Sequence, residues 1–248
     1  MTTLFRDARA ILVPDLRDRP ENRQGPLPPL LIALTVVTGL VDAFSYLVLG
    51  RVFVANMTGN VVFIAFSLAG ASGFSLSASL TALVAFAAGA LLGGRLNVRF
   101  AAHRGRLLLA AVAAEAVLVL ASYLCCLLVP HAETDNVRYL LVVLLGLAMG
   151  AQNAAARRLA VPDLTTTVLT LTIAGIAADS RLAGGADSRI GRRLLSAVSM
   201  FLGALVGGLA ALHGHSALPL LLAAVLLVLA AAALSTQARS ALSWASHD

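Results

Sequence analysis

Lysine is absent from the chain, and charged residues of all kinds fill only 12% of its 248 positions. Soluble domains carry about twice that share of charge, so the composition excludes a water-exposed globular fold. Hydrophobic residues fill 59% of the positions, and several apolar runs approach the roughly 20 residues that cross a bilayer as a helix. The short alternating segments of a membrane barrel are not found. The sequence predicts an all-α integral membrane protein.

Cysteine is also scarce, since it occurs only as the adjacent pair Cys125 and Cys126 within an apolar run. Neighbouring cysteines rarely form a disulfide, and metal sites need more ligands at better spacing. We therefore expect both to pack as small apolar side chains, and we predict no metal and no cofactor. A phosphate-binding glycine loop with its lysine, a serine elbow and a zinc-binding histidine pair are likewise missing. No enzymatic activity is predicted.

Residues 1–29 differ from the rest, with arginines interleaved with acidic residues before the proline-rich "GPLPPL". We expect a mostly disordered basic tail in the cytosol, or alternatively a short amphipathic helix on the membrane surface. Residues 30–235 form the polytopic membrane domain, and residues 236–248 form a short cytosolic tail. The formal charge of +6 does not indicate nucleic-acid binding, because the arginines form short clusters beside membrane segments.

The apolar segments of the membrane domain fall into two length classes. Six approach the length of a bilayer span, whereas Val61–Ala69 and Thr165–Ala178 are conspicuously shorter. The sequence predicts six spanning helices plus two short discontinuous or re-entrant helices. The six spanning segments are Leu30–Leu49, Ser79–Gly94, Leu107–Val129, Tyr139–Ala156, Leu194–Leu212 and Ala217–Leu234.

The membrane domain contains an internal repeat. The run "GALLGG" from Gly89 returns as "GALVGG" from Gly203, and "GLVDA" from Gly39 aligns with "GAQNA" from Gly150 at nearly the same offset. Matches in the same order at a near-constant offset indicate two structural repeats. Their boundaries are residues 30–129 and 138–234.

Arginine placement predicts how the repeats cross the membrane, because cytosolic loops are rich in basic residues. If residues 52–70 and 164–178 dip into the membrane and return, 16 arginines lie inside and only Arg51 and Arg138 lie outside. If all eight segments span, the division is 11 to 7. The first topology gives three crossings per repeat, cytosolic termini and inverted repeats. The alternative is that the two short segments belong to kinked spanning helices.

The stretch "VANMTGN" places asparagine, threonine and glycine inside this apolar domain. Non-helical backbone at membrane depth is tolerated only where it has buried partners or lines a wet cavity. Thr58 or Asn60 could cap a helix that begins near Val61, and Asp163 could cap one that begins near Leu164. The residues predicted to surround a central site for a solute or ion are Asp42, Asn56, Thr58, Asn60, Gln152, Asn153, Thr166 and Thr170.

Two carboxylates lie within predicted spans, where an ionisable side chain is costly and usually faces the bundle interior. Asp42 is interpreted as a proton or cation site, or as a structural group that caps the half-helix near Asn60 or bonds to Tyr46. Glu115 is interpreted as part of a relay, or as an interface residue paired with an arginine such as Arg106.

Glycines at helical spacing let helices approach closely in lipid. We expect them to hold the two repeats together or to form a seam between two copies in a homo-oligomer. The residues concerned are Gly89, Gly93, Gly94, Gly203, Gly207 and Gly208.

The stretches "TGLVDAFSYLVLGRVFVANMTGN", "MGAQNAAARRL" and "TTTVLT" resemble the YoaK family of bacterial inner-membrane proteins, a domain of unknown function. The resemblance covers nearly the whole chain after Pro28. It implies a multi-pass helical protein of the bacterial plasma membrane, and it implies no activity, substrate or catalytic residue. The basic tail before Leu30 is longer than expected for the family core.

Two functions fit these observations. The first is a small-solute secondary transporter or permease with a polar site near the midplane, in contact with the lipid bilayer. The second is a non-transporting membrane scaffold or regulatory partner whose polar residues only satisfy backbone groups. A transporter should show a polar cavity that reaches one membrane face, whereas a scaffold should show the same residues closed off by mutual hydrogen bonds.

Overall fold

The computed structural model describes residues 25–101, 103–129, 135–161, 169–180, 183–184 and 190–237. In this part of the chain the regular structure is helical, and the elements are α1 (Leu27–Val48), α2 (Met57–Leu68), α3 (Leu76–Arg99), α4 (Arg104–Leu128), α5 (Asp135–Leu159), α6 (Leu169–Ala178), α7 (Ile190–Leu212) and α8 (Leu218–Gln237). Six of them are long and apolar enough to cross a bilayer. The 12-residue α2 and the 10-residue α6 are too short. The predicted all-helical membrane fold, with six spans and two short helices, is confirmed.

Some predictions fall on residues outside this description. They concern most of both predicted tails, the candidate site residue Thr166 and the proposed helix cap at Asp163.

Polar side chains cap α2, α3 and α4, whereas α1 follows Pro26 and has no side-chain cap. Asn56 accepts a hydrogen bond from the Gly59 amide, Ser75 from Ala78 and His103 from Arg106. The expectation that Thr58 or Asn60 caps a helix near Val61 is therefore wrong. The helix α2 already begins at Met57, because the Asn56 side chain can satisfy its free amides four residues earlier.

Helix packing follows the internal repeat. The most extensive contacts join α1 to α7 and α3 to α5, so the first long helix of each half packs on the second long helix of the other. Of the remaining contacts, α4 with α5 corresponds to α8 with α1, α2 with α3 to α6 with α7, and α3 with α4 to α7 with α8. The contacts of α4 with α8 and of α1 with α5 each join equivalent helices of the two halves. Each half therefore repeats the contacts of the other.

This correspondence extends to single glycines. Gly39 of α1 lies against the backbone of Met200 in α7, and Gly150 of α5 lies against the backbone of Phe86 in α3. Met200 follows Phe86 by 114 residues, which is also the offset between the "GALLGG" and "GALVGG" runs. We call the α1–α7 and α3–α5 interfaces the two seams. Gly39 and Gly150 lie in these seams together with predicted packing glycines.

Four of the six predicted packing glycines lie in these seams, namely Gly89, Gly93, Gly203 and Gly207. A Cβ atom on Gly89 would overlap the Leu147 carbonyl oxygen, and one on Gly203 would overlap that of Val36. Gly94 does not pack: its Cβ would meet no heavy atom of the described chain within 4 Å. A Cβ on Gly208 would meet only the Leu47 side chain there, at 3.7 Å. Both follow a seam glycine by one residue, about 100° around the helix.

The seams also fix the relative directions of the helices. Along α1 and α7, Val36 meets Gly203 and Ala43 meets Gly207, so these helices run parallel. Along α3 and α5, the Ser77 hydroxyl lies 2.6 Å from the Tyr139 hydroxyl. Nearer the other end, the Asn97 side chain donates to the Ala154 carbonyl at 3.2 Å, so this pair is parallel as well.

The first short helix belongs to a hairpin that returns to the end of the bundle where it started. Arg51, just after α1, lies against Gly73, and its guanidinium carbon is 5.7 Å from the centre of the Phe74 ring, just before α3. At the opposite end, Arg104 at the start of α4 donates to the Leu159 carbonyl at the end of α5. The chain therefore leaves α1 and enters α3 on the same side, and α2 is re-entrant.

Large apolar side chains cover the outer surface of the bundle. Leu212 is 72% exposed at the end of α7, and Val98 is 80% exposed on α3. Water would solvate such side chains unfavourably, whereas lipid tails match them. These faces contact the lipid bilayer.

Candidate functional site

The chain reverses direction directly after α1. Gly50 has φ +88° and Arg51 has φ +56°, both in the left-handed region that glycine adopts freely and arginine rarely adopts. The five residues Val52–Asn56 that follow are not helical. Val52, Val54 and Ala55 are nevertheless buried. This irregular stretch, called the re-entrant segment below, therefore needs buried partners for its backbone.

Asp42 supplies two of those partners. Its Oδ1 atom accepts hydrogen bonds from the Ala55 amide at 2.9 Å and the Val54 amide at 3.2 Å. The residue is only 4% exposed. It lies six residues before the end of α1, about 9 Å along the helix axis. The re-entrant segment thus turns back to that depth and ends against a carboxylate.

Asn60 of α2 holds the same segment from the other side. Its amide nitrogen donates to the Phe53 carbonyl at 2.6 Å, and its Oδ1 accepts from the Phe53 amide at 3.0 Å. Asn60 is fully buried. Together, Asp42 and Asn60 bind the N–H groups of three consecutive residues, Phe53, Val54 and Ala55. Irregular backbone at membrane depth needs such hydrogen-bond partners for its N–H groups.

Aromatic rings cover the segment toward the end of the bundle. The Phe53 ring stacks on Tyr46 at 5.0 Å and on Phe63 at 5.6 Å between centres. Tyr46 therefore contributes packing here, and the Asp42 Oδ1 bonds go to the re-entrant backbone. Neither structural interpretation of Asp42, as a cap of the half-helix near Asn60 or as a partner of Tyr46, describes these bonds, because they hold the backbone just before α2, whose cap is Asn56.

A buried polar contact joins the two halves one turn before Asp42 on α1. The Gln152 side chain of α5 donates to the Thr38 hydroxyl of α1 at 3.0 Å, and that hydroxyl donates to the Leu34 carbonyl. Thr38 lies four residues before Asp42, on the same face of α1. Sequence reasoning missed Thr38, although a polar residue one turn from a buried acid was the available signal. Thr38, Asp42, Asn60 and Gln152 are all buried and form what we call the polar core.

The other predicted site residues lie elsewhere. Asn56 and Thr58 are exposed on the first turn of α2, where Asn56 acts as the cap. Thr170 is exposed near the start of α6. Asn153 is half-buried, and its side chain donates to the Met149 carbonyl of its own helix at 2.9 Å. The structure therefore brings together Asp42, Asn60 and Gln152 but does not bury the whole predicted set.

Glu115 is fully buried in the middle of α4. Arg106, its suggested partner, is exposed and nine residues earlier in the same helix, about 13 Å along the axis. An arginine side chain does not bridge that distance along one helix. The paired interpretation with Arg106 is therefore not favoured by the geometry.

The second hairpin is described only in part. Arg193 of α7 forms an ion pair with Asp179, just after α6, and its guanidinium lies against Gly175. The ion pair joins the end of α6 to the beginning of α7. The threonine-rich counterpart of the re-entrant segment, residues 162–168, lies outside the described residues.

In the described ranges, no three His, Cys, Asp or Glu side chains come close enough together to hold a metal ion. Cys125 and Cys126 are half-buried thiols of α4. His103 lies outside the spanning helices, and burial, followed by the nearby Arg106, lowers its pKa from 6.5. A neutral His103 suits its role as the acceptor that caps α4.

Comparisons with known proteins agree with the sequence resemblance. A family model described as "Protein of unknown function (DUF1275)" matches residues 30–233. The UPF0700 transmembrane protein YoaK of Bacillus subtilis (strain 168) is 34% identical over 155 residues, which cover 60% of this chain and 65% of that protein. The match thus spans slightly less than two thirds of the relative. No solved structure matches the chain.

Proposed function

Because the chain belongs to the DUF1275 family of unknown function, its activity has to be inferred from its structure, and we propose that it is a small-solute secondary transporter or permease. It is a multi-pass membrane protein with six candidate spans among the described helices, and α2, with 12 residues, is too short to be a seventh. The observation that carries the proposal is the re-entrant segment, held at depth by Asp42 and Asn60.

Re-entrant and broken helices are expensive in a membrane, because their free backbone groups must be satisfied by protein. A protein that served only to span the bilayer would have no need of one. In secondary transporters, discontinuous helices meet at the substrate site near the interface between repeats. The polar core lies at such an interface, since the Gln152 to Thr38 bond joins α5 to α1.

The repeat relationship supports the same proposal. Each half contributes three long helices, and corresponding contacts occur in both halves. With three crossings per half, the second half enters the membrane from the opposite side, which makes the repeats inverted. Inverted repeats that rock about a central site are a common basis of alternating access.

We place the protein in the bacterial plasma membrane with both termini in the cytosol. Support comes from the arginine division of 16 to 2 and from the similarity to a transmembrane protein of Bacillus subtilis. Arg104 and Leu159, which meet at one end of the bundle, then mark the cytosolic side. Arg51 and Phe74 mark the outer side.

The second candidate function is that of a non-transporting scaffold or regulatory partner. It is favoured by the fact that the polar side chains of Asp42 and Asn60 are spent on backbone groups. In a transporter, the closed conformation would have the same bonds. The two candidates therefore differ in whether those bonds open, and only a functional measurement separates them.

Uptake provides the test. A deletion strain is profiled for growth defects and resistances on a panel of small solutes, and each radiolabelled solute that scores is offered to proteoliposomes that contain the purified protein. Gln152→Ala is expected to reduce uptake at least about tenfold, because it removes a buried polar group at the repeat interface. The matched control is Thr170→Ala, which changes an exposed side chain and should leave uptake unchanged. Absence of any solute phenotype, with folded protein that takes up none of the panel, would favour the scaffold.

A further inference from the structure

In the part of the chain that the structure describes, few charges surround Asp42. α2 and α8 have no ionisable residue, and the arginines of α7 lie at its first turn, far from the level of Asp42. Among the described residues, the Asp42 carboxylate has backbone N–H groups as its partners and no cationic side chain. The ionisable residues that the described helices and loops place at the same end of the bundle are Tyr46, Arg51, Tyr123, Cys125, Cys126, Asp135, Arg138, Tyr139, His213 and His215.

The donors around Asp42 also discriminate between possible ligands. A sodium or calcium ion prefers several oxygen ligands, whereas the Val54 and Ala55 N–H groups present the positive ends of their dipoles to Oδ1. A metal ion placed beside them would face like charge. A proton needs no further oxygen ligands, because it forms a covalent bond to one carboxylate oxygen, and the same N–H groups then hold the segment more weakly.

Resting on the transport function above, we propose that protonation of Asp42 releases the re-entrant segment and that the coupling ion is the proton. In the ionised state, the carboxylate accepts two charge-assisted hydrogen bonds from Val54 and Ala55, which are roughly twice as strong as neutral ones. When a proton from water adds to the carboxylate, its negative charge is neutralised and both bonds weaken. The proton returns to water when the segment closes again.

Asn60 provides an internal comparison for this step. Its side chain binds the backbone N–H and C=O groups of Phe53 in the same segment but carries no titratable group. Its hold on the segment is therefore independent of pH. Protonation opens the part of the segment at Val54 and Ala55, and the Phe53 end remains attached as a hinge.

The test measures the accessibility of the segment with an impermeant maleimide on protein in nanodiscs. Single cysteines are placed at Ala55, which is buried, and at Thr58, which is exposed, after Cys125→Ala and Cys126→Ala. Dividing the Ala55→Cys labelling rate by the Thr58→Cys rate removes the pH dependence of reactivity that the two thiols share. We expect this ratio to rise about tenfold between about pH 8 and about pH 5.

Two variants assign the effect. With Asp42→Asn, the ratio should be high at every pH, because the group no longer titrates. With Asn60→Ala, the ratio should be higher throughout but should still rise as the pH falls. A flat ratio in the protein with Asp42 intact would overturn the proposal. If Asp42→Asn does not fold, the pH series on the protein with Asp42 intact decides the question. Asp42→Glu, which keeps a carboxylate, then serves as the second variant.

Proton entry into vesicles loaded with the dye pyranine separates this proposal from the transport function. A ratio that depends on pH, with solute uptake that brings protons into the vesicles, supports both. A ratio that depends on pH without solute uptake supports the release of the segment and refutes transport, and with it the coupling. Solute uptake that a protonophore leaves unchanged, together with a flat ratio, refutes the proposal and leaves transport standing.

Discussion

The two halves of the molecule share their helix seams but not their polar chemistry. Gly89 and Gly203 make equivalent backbone contacts, to Leu147 and Val36. The acid Asp42, by contrast, aligns with the amide Asn153 in the repeat. Close packing in lipid constrains both halves to small residues at the same places, whereas the proposed transport requires only one charged site. Matched changes to the seam glycines should therefore destabilise the two halves equally. Changes at Asp42 and at its counterpart Asn153 should differ in their effect.

The largest effect is expected from closing the seams. Gly89→Leu and Gly203→Leu place a bulky side chain where even a Cβ overlaps a carbonyl oxygen of the neighbouring helix. Overpacking of this kind costs about 1–3 kcal/mol or more, and we expect both variants to lose the monodisperse peak in size-exclusion chromatography. Gly94→Leu is the matched control, since the described chain leaves that position open. If Gly203→Leu folds while Gly89→Leu does not, the seams are not equivalent.

Removing the carboxylate should have the next largest effect. Asp42→Ala leaves the amides of Val54 and Ala55 without their acceptor, at a cost on the order of 3 kcal/mol. Asp42→Asn retains an acceptor oxygen and should lose about 1 kcal/mol. Unfolding by steric trapping in bicelles measures both free energies. If the two variants lose the same free energy of unfolding, the acceptor bonds to Val54 and Ala55 are not the source of the stabilisation by Asp42.

Much of this fold could be predicted because lipid imposes strong rules on sequence. Span length, the arginine distribution and the glycine repeat gave six long helices, two short ones and the seam positions Gly89 and Gly203. The boundary of α2 could not be derived, since Asn56, Thr58 and Asn60 are all adequate caps by residue type. In the structure Asn56 caps α2 and Asn60 binds Phe53, a contact that the spacing of the two residues does not reveal.

The polar core was predicted only in part for a similar reason. Asp42 is conspicuous because charge is rare in a span. Thr38 is not, because threonine is common in membrane helices and its role depends on Gln152, 114 residues away. The exposure of Thr58 and Thr170 depends on which face of a short helix meets the bundle, and neither short helix has a clear apolar stripe.

The bond between the halves should contribute less than the tether. We expect a coupling of about 0.6 kcal/mol between Thr38 and Gln152, the average for hydrogen bonds between membrane helices. A double-mutant cycle with Thr38→Val and Gln152→Leu measures it by the same unfolding method. A coupling energy of zero would show that the hydrogen bond between Gln152 and Thr38 does not help to hold the repeats together.

The smallest effect should be a pH dependence confined to one half. His103 caps α4 as a neutral acceptor, and its pKa is lowered from 6.5 by burial and then by Arg106. Its contribution is therefore complete above about pH 6.5 and is lost as the pH falls. His103→Asn should keep the cap. The protection of the first α4 amides from hydrogen exchange should then no longer change between about pH 5 and about pH 7. The equivalent position before α8 is Ala217, so no matching titration is expected there.

The re-entrant path of the first hairpin is tested most directly by the sidedness of Ser72, which lies exposed between α2 and α3. Single cysteines at Ser72, Ser216 and Arg158 are labelled with an impermeant maleimide in sealed vesicles, after Cys125→Ala and Cys126→Ala. Because the chain leaves α1 and enters α3 at one end of the bundle, Ser72→Cys and Ser216→Cys should react from the same side and Arg158→Cys from the other. Reaction of Ser72→Cys from the side opposite to Ser216→Cys would contradict the re-entrant hairpin.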